Sequence, residues 1–131
     1  MNHFLIVLLS ICSHESRGDV HAINITDGGS ASYGFCQIKF KTAKALGFRG
    51  SIQELWHNPQ VNMGWAGRYL KKQLGRYDNN YYLAVAAYNA GSVKKKNYEV
   101  IKNAEYYKGN NKHIIYVKEV FKKVKQMESN K

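Results

Sequence analysis

Apolar residues crowd the amino end, from Phe4 to Ile11 (FLIVLLSI), and the chain turns polar only at Ser13-His14-Glu15-Ser16. An all-round apolar pattern with no polar face predicts a buried first helix that runs straight into Glu15. Gly18 and Asp19 end it. Residues 20 to 38 lose the helical period: His21 to Ile25 alternate weakly, Asp27-Gly28-Gly29-Ser30 is a turn signal, and Ser32 to Ile38 (SYGFCQI) reads as a short strand. A small β hairpin or flap is expected there. From Lys39 onward the period is helical again. Thr42 to Leu46 forms a short helix closed by Gly47, and Ser51 with Glu54 is a capping box for Ile52 to Trp56. Asn58-Pro59 opens the next helix, whose residues Val61, Met63, Trp65, Ala66, Tyr69, Leu70 and Leu74 cover one wide apolar face. Tyr81 to Ala90 is a small-residue-rich helix stopped by Gly91. Two basic helices, near Val93 to Tyr107 and His113 to Met127, complete an α+β, predominantly α-helical single domain over residues 1–131.

The FLIVLLSI run also has the look of a signal-peptide core. Only His3 stands before it in place of Lys or Arg, and bulky Ile11 occupies a position where cleavage needs a small residue. The run is shorter than the about 20 apolar residues that span a bilayer. No cleaved leader and no transmembrane span are expected, so export would take another route.

Composition adds two things. Twenty Lys and Arg against nine Asp and Glu give a net charge of +11, which favours an anionic partner: nucleic acid, an acidic membrane face or an anionic cell wall. Two cysteines, Cys12 and Cys36, are too few for a disulfide framework. One bridge is open to them, but their apolar neighbours favour two buried thiols acting as small hydrophobes. No CxxC or HExxH spacing suggests a metal, and no cofactor motif is present.

Most of the nine carboxylates have a simple use. Glu99, Glu105, Glu119 and Glu128 lie among lysines as solvated helix-surface partners. Glu54 belongs to the capping box and Asp78 to a polar loop, which leaves Glu15, Asp19 and Asp27. Glu15 ends an apolar helix, where desolvation would raise its pKa and suit it to donate a proton.

The words around Glu15 sharpen this. Glu15-Ser16, then Tyr33-Gly34-Phe35-Cys36-Gln37-Ile38, Asn58-Pro59-Gln60-Val61-Asn62-Met63, Tyr69-Leu70, Ala86-Ala87-Tyr88-Asn89-Ala90-Gly91 and Tyr116-Val117 follow one another at domain spacing. Together they resemble the soluble lytic transglycosylase (SLT) domain of the lysozyme-like superfamily, written there as an ES pair, a GLMQ-like turn, an NPxxNI…YL helix and an AYNAG segment. Phe35-Cys36 replaces the usual Leu-Met, and Lys94 to Lys96 follow AYNAG where many relatives carry a Gly-Pro turn. The Gly- and Ser-rich loop after Glu15 is closer to transglycosylases of secretion systems and phages.

The resemblance implies a lysozyme-like fold and cleavage of the β-1,4 bond between N-acetylmuramic acid and N-acetylglucosamine, with Glu15 as the one catalytic acid and base. It implies that Ser16, Gln37 and Asn89 bind sugar or acetamido groups and that Tyr88 and Tyr116 hold the Glu15 carboxyl. The implied partner is the peptidoglycan glycan strand, met by a monomer in the cell wall or periplasm. A stand-alone domain with no evident leader suits a phage-encoded lysis or virion enzyme, and equally a secretion-system enzyme whose leader is absent from this sequence. Lys94-Lys95-Lys96 and Lys122-Lys123 would be its landing surfaces.

Two other readings stay open. Goose-type lysozymes share the implied fold and carry aspartates in the corresponding loop, so Asp27 could hold a water and make the enzyme an inverting hydrolase. A basic nucleic-acid-binding helical module would account for the charge and the ten tyrosines. It would leave SYGFCQI and AAYNAG unexplained.

Overall fold

The computed structural model describes residues 2–25 and 30–130. Among these, seven α-helices and a three-stranded antiparallel sheet follow in the order α1 (His3–Ser16), β1 (Ile23–Asn24), β2 (Ser32–Tyr33), β3 (Ile38–Lys39), α2 (Phe40–Ala45), α3 (Ile52–His57), α4 (Pro59–Arg76), α5 (Tyr81–Ala90), α6 (Tyr98–Lys102) and α7 (Lys112–Ser129). This is the predominantly helical α+β, lysozyme-like architecture that the periodicity and motifs predicted. No described helix is long and apolar enough to cross a membrane.

By contacts the chain forms two compact units, one of Ile11–Tyr69 and one of Met1–Ser10 with Leu70–Lys131. In the Ile11–Tyr69 unit, Ile38, Ala43, Phe48 and Leu55 make a buried cluster against which Tyr33, Phe40, Val61, Trp65 and Tyr69 pack. The helix starts follow the expected chemistry. Ser51 accepts the Glu54 backbone N–H at 3.1 Å, and Asn58 Oδ1 accepts those of Gln60 and Val61 at 3.1 and 3.2 Å. Each of these acceptors satisfies a donor that a helix start leaves orphaned.

The expected strand over Ser32 to Ile38 is instead two short strands with a turn between them. Ile23 pairs with Tyr33, and Tyr33 pairs onward with Ile38. The break has a local cause. Gly34 and Gln37 take left-handed backbone, with φ of 79° and 53°, and the Gln37 N–H reaches the Gly34 carbonyl at 3.2 Å to close the turn.

In the other unit, Leu83 to Tyr88 of α5 are buried, and α5 packs on α6 and α7. The alanines at 84, 86 and 87 keep that helix thin enough to sit inside the unit. Gly91, with φ of 88°, stops α5 where expected, its N–H bonded to Ala87 O at 2.7 Å. Ile114, Val117, Val120 and Val124 form the buried stripe of α7. The continuous basic helix expected over Val93 to Tyr107 is a broken stretch: a 3-10 turn at Lys95–Asn97, α6, and a second 3-10 turn at Ala104–Tyr106. Asn103 explains the second break, because its side chain donates to the Glu99 carbonyl at 2.9 Å and competes with the helix ladder.

Candidate functional site

Glu15 sits half-buried in the last turn of α1, beside buried Ser16. The helix stops there because Arg17 and Gly18 adopt left-handed backbone, φ 55° and 82°. Asp19 Oδ1 then accepts the His21 N–H at 2.9 Å and starts the flap. The Ser16 hydroxyl donates to the Cys12 carbonyl at 2.9 Å, so its proton is held inside α1 and its lone pairs remain for a ligand.

Cys12 is bonded to Cys36. This corrects the expectation of two free thiols: both sulfurs are buried as the apolar context implied, yet they are paired. Residues three and four apart share a helix face, so the face of α1 that carries Cys12 also carries Glu15 and Ser16. Cys36 directly precedes Gln37. The disulfide therefore ties the carboxyl-bearing end of α1 to the Gly34–Gln37 turn.

That turn is held from several sides. The Ala22 carbonyl receives the Gly34 N–H at 2.7 Å and Gln37 Nε2 at 3.1 Å, and Gln37 Nε2 also donates to the Gly34 carbonyl at 3.0 Å. Both amide protons of Gln37 are thus used, and only its Oε1 is left to meet a ligand, as an acceptor. Asn62, fully buried on α4, donates to the Tyr33 and Leu55 carbonyls at 2.7 and 2.8 Å and accepts the Cys36 N–H at 2.8 Å. Sequence reasoning missed this supporting residue; its signal was a polar side chain inside the apolar stripe of α4. Reasoning also missed Trp56, whose Nε1 donates to the His21 carbonyl at 2.8 Å while its ring stacks on His57 at 4.3 Å.

Glu15, Ser16 and Gln37 belong to the Ile11–Tyr69 unit. Tyr88, Asn89 and Tyr116 belong to the other, where Tyr88 is buried in α5, Asn89 is exposed on its last turn, and Tyr116 is half-buried on α7. Asp27 lies outside the described residues. Among the described residues no group of three or more His, Cys, Asp or Glu side chains could hold a metal ion.

Over residues 3–113 the chain matches the family described as Transglycosylase SLT domain. It is 34% identical over 100 residues to Protein IpgF of Shigella flexneri and, to the same extent, to Protein IpgF of Shigella sonnei. The matched stretch covers 76% of this chain and 65% of each relative, a little under two thirds of their length. No solved structure matches.

Proposed function

The chain belongs to the Transglycosylase SLT domain family, and from this membership we propose that it is a peptidoglycan lytic transglycosylase whose 131 residues act as one catalytic domain with Glu15 as acid and base. The observation that supports this reading best is the Cys12–Cys36 bond. It fastens the α1 face bearing Glu15 and Ser16 to the turn bearing Gln37. A carboxyl and an amide acceptor are thereby pre-organised by a covalent strap and a hydrogen-bonded turn, as a proton-transfer site needs. For Tyr88, Asn89 and Tyr116 the support is the motif match alone.

The chemistry runs as follows. Protonated Glu15 gives its proton to the glycosidic oxygen that links muramyl C1 to glucosamine C4. The C1–O bond breaks, its electron pair goes to the departing oxygen, and glucosamine leaves with a free 4-hydroxyl. The muramyl acetamido oxygen bonds to C1 in its place, so no enzymic nucleophile is needed. Glu15, now a carboxylate, takes the proton of the muramyl C6 hydroxyl. O6 attacks C1, displaces the acetamido oxygen and leaves a 1,6-anhydro end. No water is consumed. Ser16 and Gln37 meet sugar or acetamido groups, and Gln37 does so by accepting a hydrogen bond from a hydroxyl or amide N–H.

The enzyme works where peptidoglycan lies, in the cell wall or periplasm. A buried disulfide supports that placement, because such bonds persist in oxidising spaces and are rare in the cytosol.

Digestion of purified peptidoglycan, with mass spectrometry of the products, tests the reading. Wild-type protein should release fragments ending in 1,6-anhydromuramic acid. Glu15→Gln should keep its melting temperature and lose at least about 100-fold in rate, the lower end of what a general acid contributes. Reducing ends instead of anhydro ends would replace the lyase with a hydrolase, and an active Glu15→Gln protein would remove Glu15 from the chemistry.

A further inference from the structure

Beyond Gly91 a cavity of about 60 Å³ opens in the unit that contains α5, α6 and α7. Its polar wall is Ser92, Lys94, Asn97 and His113, and no carboxylate of the described residues lines it. None of these four side chains has a hydrogen-bond or ion-pair partner among the described residues. Two cationic or ionisable groups and two small hydrogen-bonding groups thus converge on one opening with nothing of the protein's own to satisfy them. Burial, and then the charges of Lys112 and Lys94, push the His113 imidazole below its ordinary range. His113 also lies in the first turn of the 18-residue helix α7, whose positive dipole end favours an anion.

The other wall is apolar: Ala86, Ala90, Val93 and Ile101. A bare, strongly hydrated phosphate gains nothing from such a wall. A carboxylate carried on a short alkyl group can place its oxygens toward Lys94 and Asn97 and its carbons on the alanines. Ala86 and Ala90 belong to the same helix segment as Asn89, the exposed residue matched to sugar contact.

We propose that this cavity is a carboxylate-binding subsite that receives a stem-peptide carboxylate of the peptidoglycan strand. The link to peptidoglycan rests on the function proposed above, whereas the anion chemistry stands on the cavity itself.

The test is a titration of the His113 ring signals by NMR, at fixed pH and ionic strength, in the protein of 131 residues. The probe is an acetylated alanyl-glutamate dipeptide, with its fully amidated counterpart and inorganic phosphate as the other arms. The dipeptide acid should shift the His113 signals saturably and the amide should not. Lys94→Ala should weaken the acid at least about tenfold, the loss of one charge-assisted hydrogen bond, while Lys94→Arg stays within a few-fold of wild type. Equal responses to acid and amide, an unchanged Lys94→Ala protein with native melting, or tighter saturation by phosphate would each overturn the proposal. Because no turnover is involved, a failed titration leaves the transglycosylase reading intact, and failed wall cleavage leaves the subsite intact.

Discussion

Gly34 is a position where the backbone and its neighbour both exclude a side chain. At φ 79° an added Cβ would stand 2.3 Å from Asn62 Nδ2, 2.7 Å from Asn62 Cγ and 3.1 Å from the Trp56 carbonyl. Asn62 cannot step aside cheaply, because it is fully buried and spends its amide on Tyr33, Leu55 and Cys36. Gly34→Ala should therefore cost about 3 kcal/mol, a left-handed penalty of about 1–2 kcal/mol together with at least one broken buried hydrogen bond. Urea unfolding measures it, and a midpoint within error of wild type would contradict the geometry. The sequence placed both residues in family-like words, Gly34 in the turn and Asn62 in the helix, but could not show that they meet. A one-dimensional pattern marks Asn62 as a polar residue on an apolar stripe, and only the folded flap explains what it bonds. The place of Glu15 at the end of α1 was more legible, because being the first carboxylate after an apolar helix is a property of the chain order itself.

At the scale of elements, helix limits were read well wherever a cap sets them. Ser51, Asn58-Pro59 and Gly91 act on the backbone within a few residues, so their signals are local. Asn80 and Asn111 cap α5 and α7 in the same way, accepting Leu83 N–H at 3.0 Å and His113 N–H at 2.9 Å. The Val93–Tyr107 stretch was misread because apolar spacing continued across Asn103, whose local bond breaks the ladder. The disulfide was misread for a different reason: burial of a cysteine follows from its neighbours, while its partner follows from how the flap folds over α1. The bond closes a loop with a sequence separation of 24. Replacing both cysteines by alanine should lower stability by about 3 kcal/mol, on the loop-entropy scale for that length. A reductant should lower the melting temperature of wild type and leave the double variant unchanged. Wall cleavage should fall in the double variant below its thermal midpoint as well, because the strap positions the Gln37 turn relative to the Glu15 face of α1. A double variant as stable and as active as wild type would show that the flap is held without it.

Over the whole molecule, on the function proposed above, twenty basic residues against nine acidic ones would set how the protein meets a glycan polymer before any bond is cut. A charge of +11 raises the local concentration of protein on an anionic wall and speeds encounter. Attraction of this kind is screened as salt shortens the Debye length from about 10 Å at 0.1 M to about 3 Å at 1 M. Sedimentation with purified walls should thus show binding that weakens at least about tenfold across that range, by analogy with other charge-dominated association. Melting temperature should change little, since an ion pair such as His3 with Glu128 at 3.7 Å is made by exposed side chains and surface pairs contribute little. Glu15→Gln should bind walls as wild type does, because it removes one negative charge and leaves every lysine and arginine in place. Walls whose carboxylates have been amidated should bind both proteins weakly at every salt concentration. If amidated walls instead bind as tightly as native ones, the charge is not what brings the protein to its substrate. The +11 would then need a different anionic partner, with nucleic acid the first to test by the same salt series.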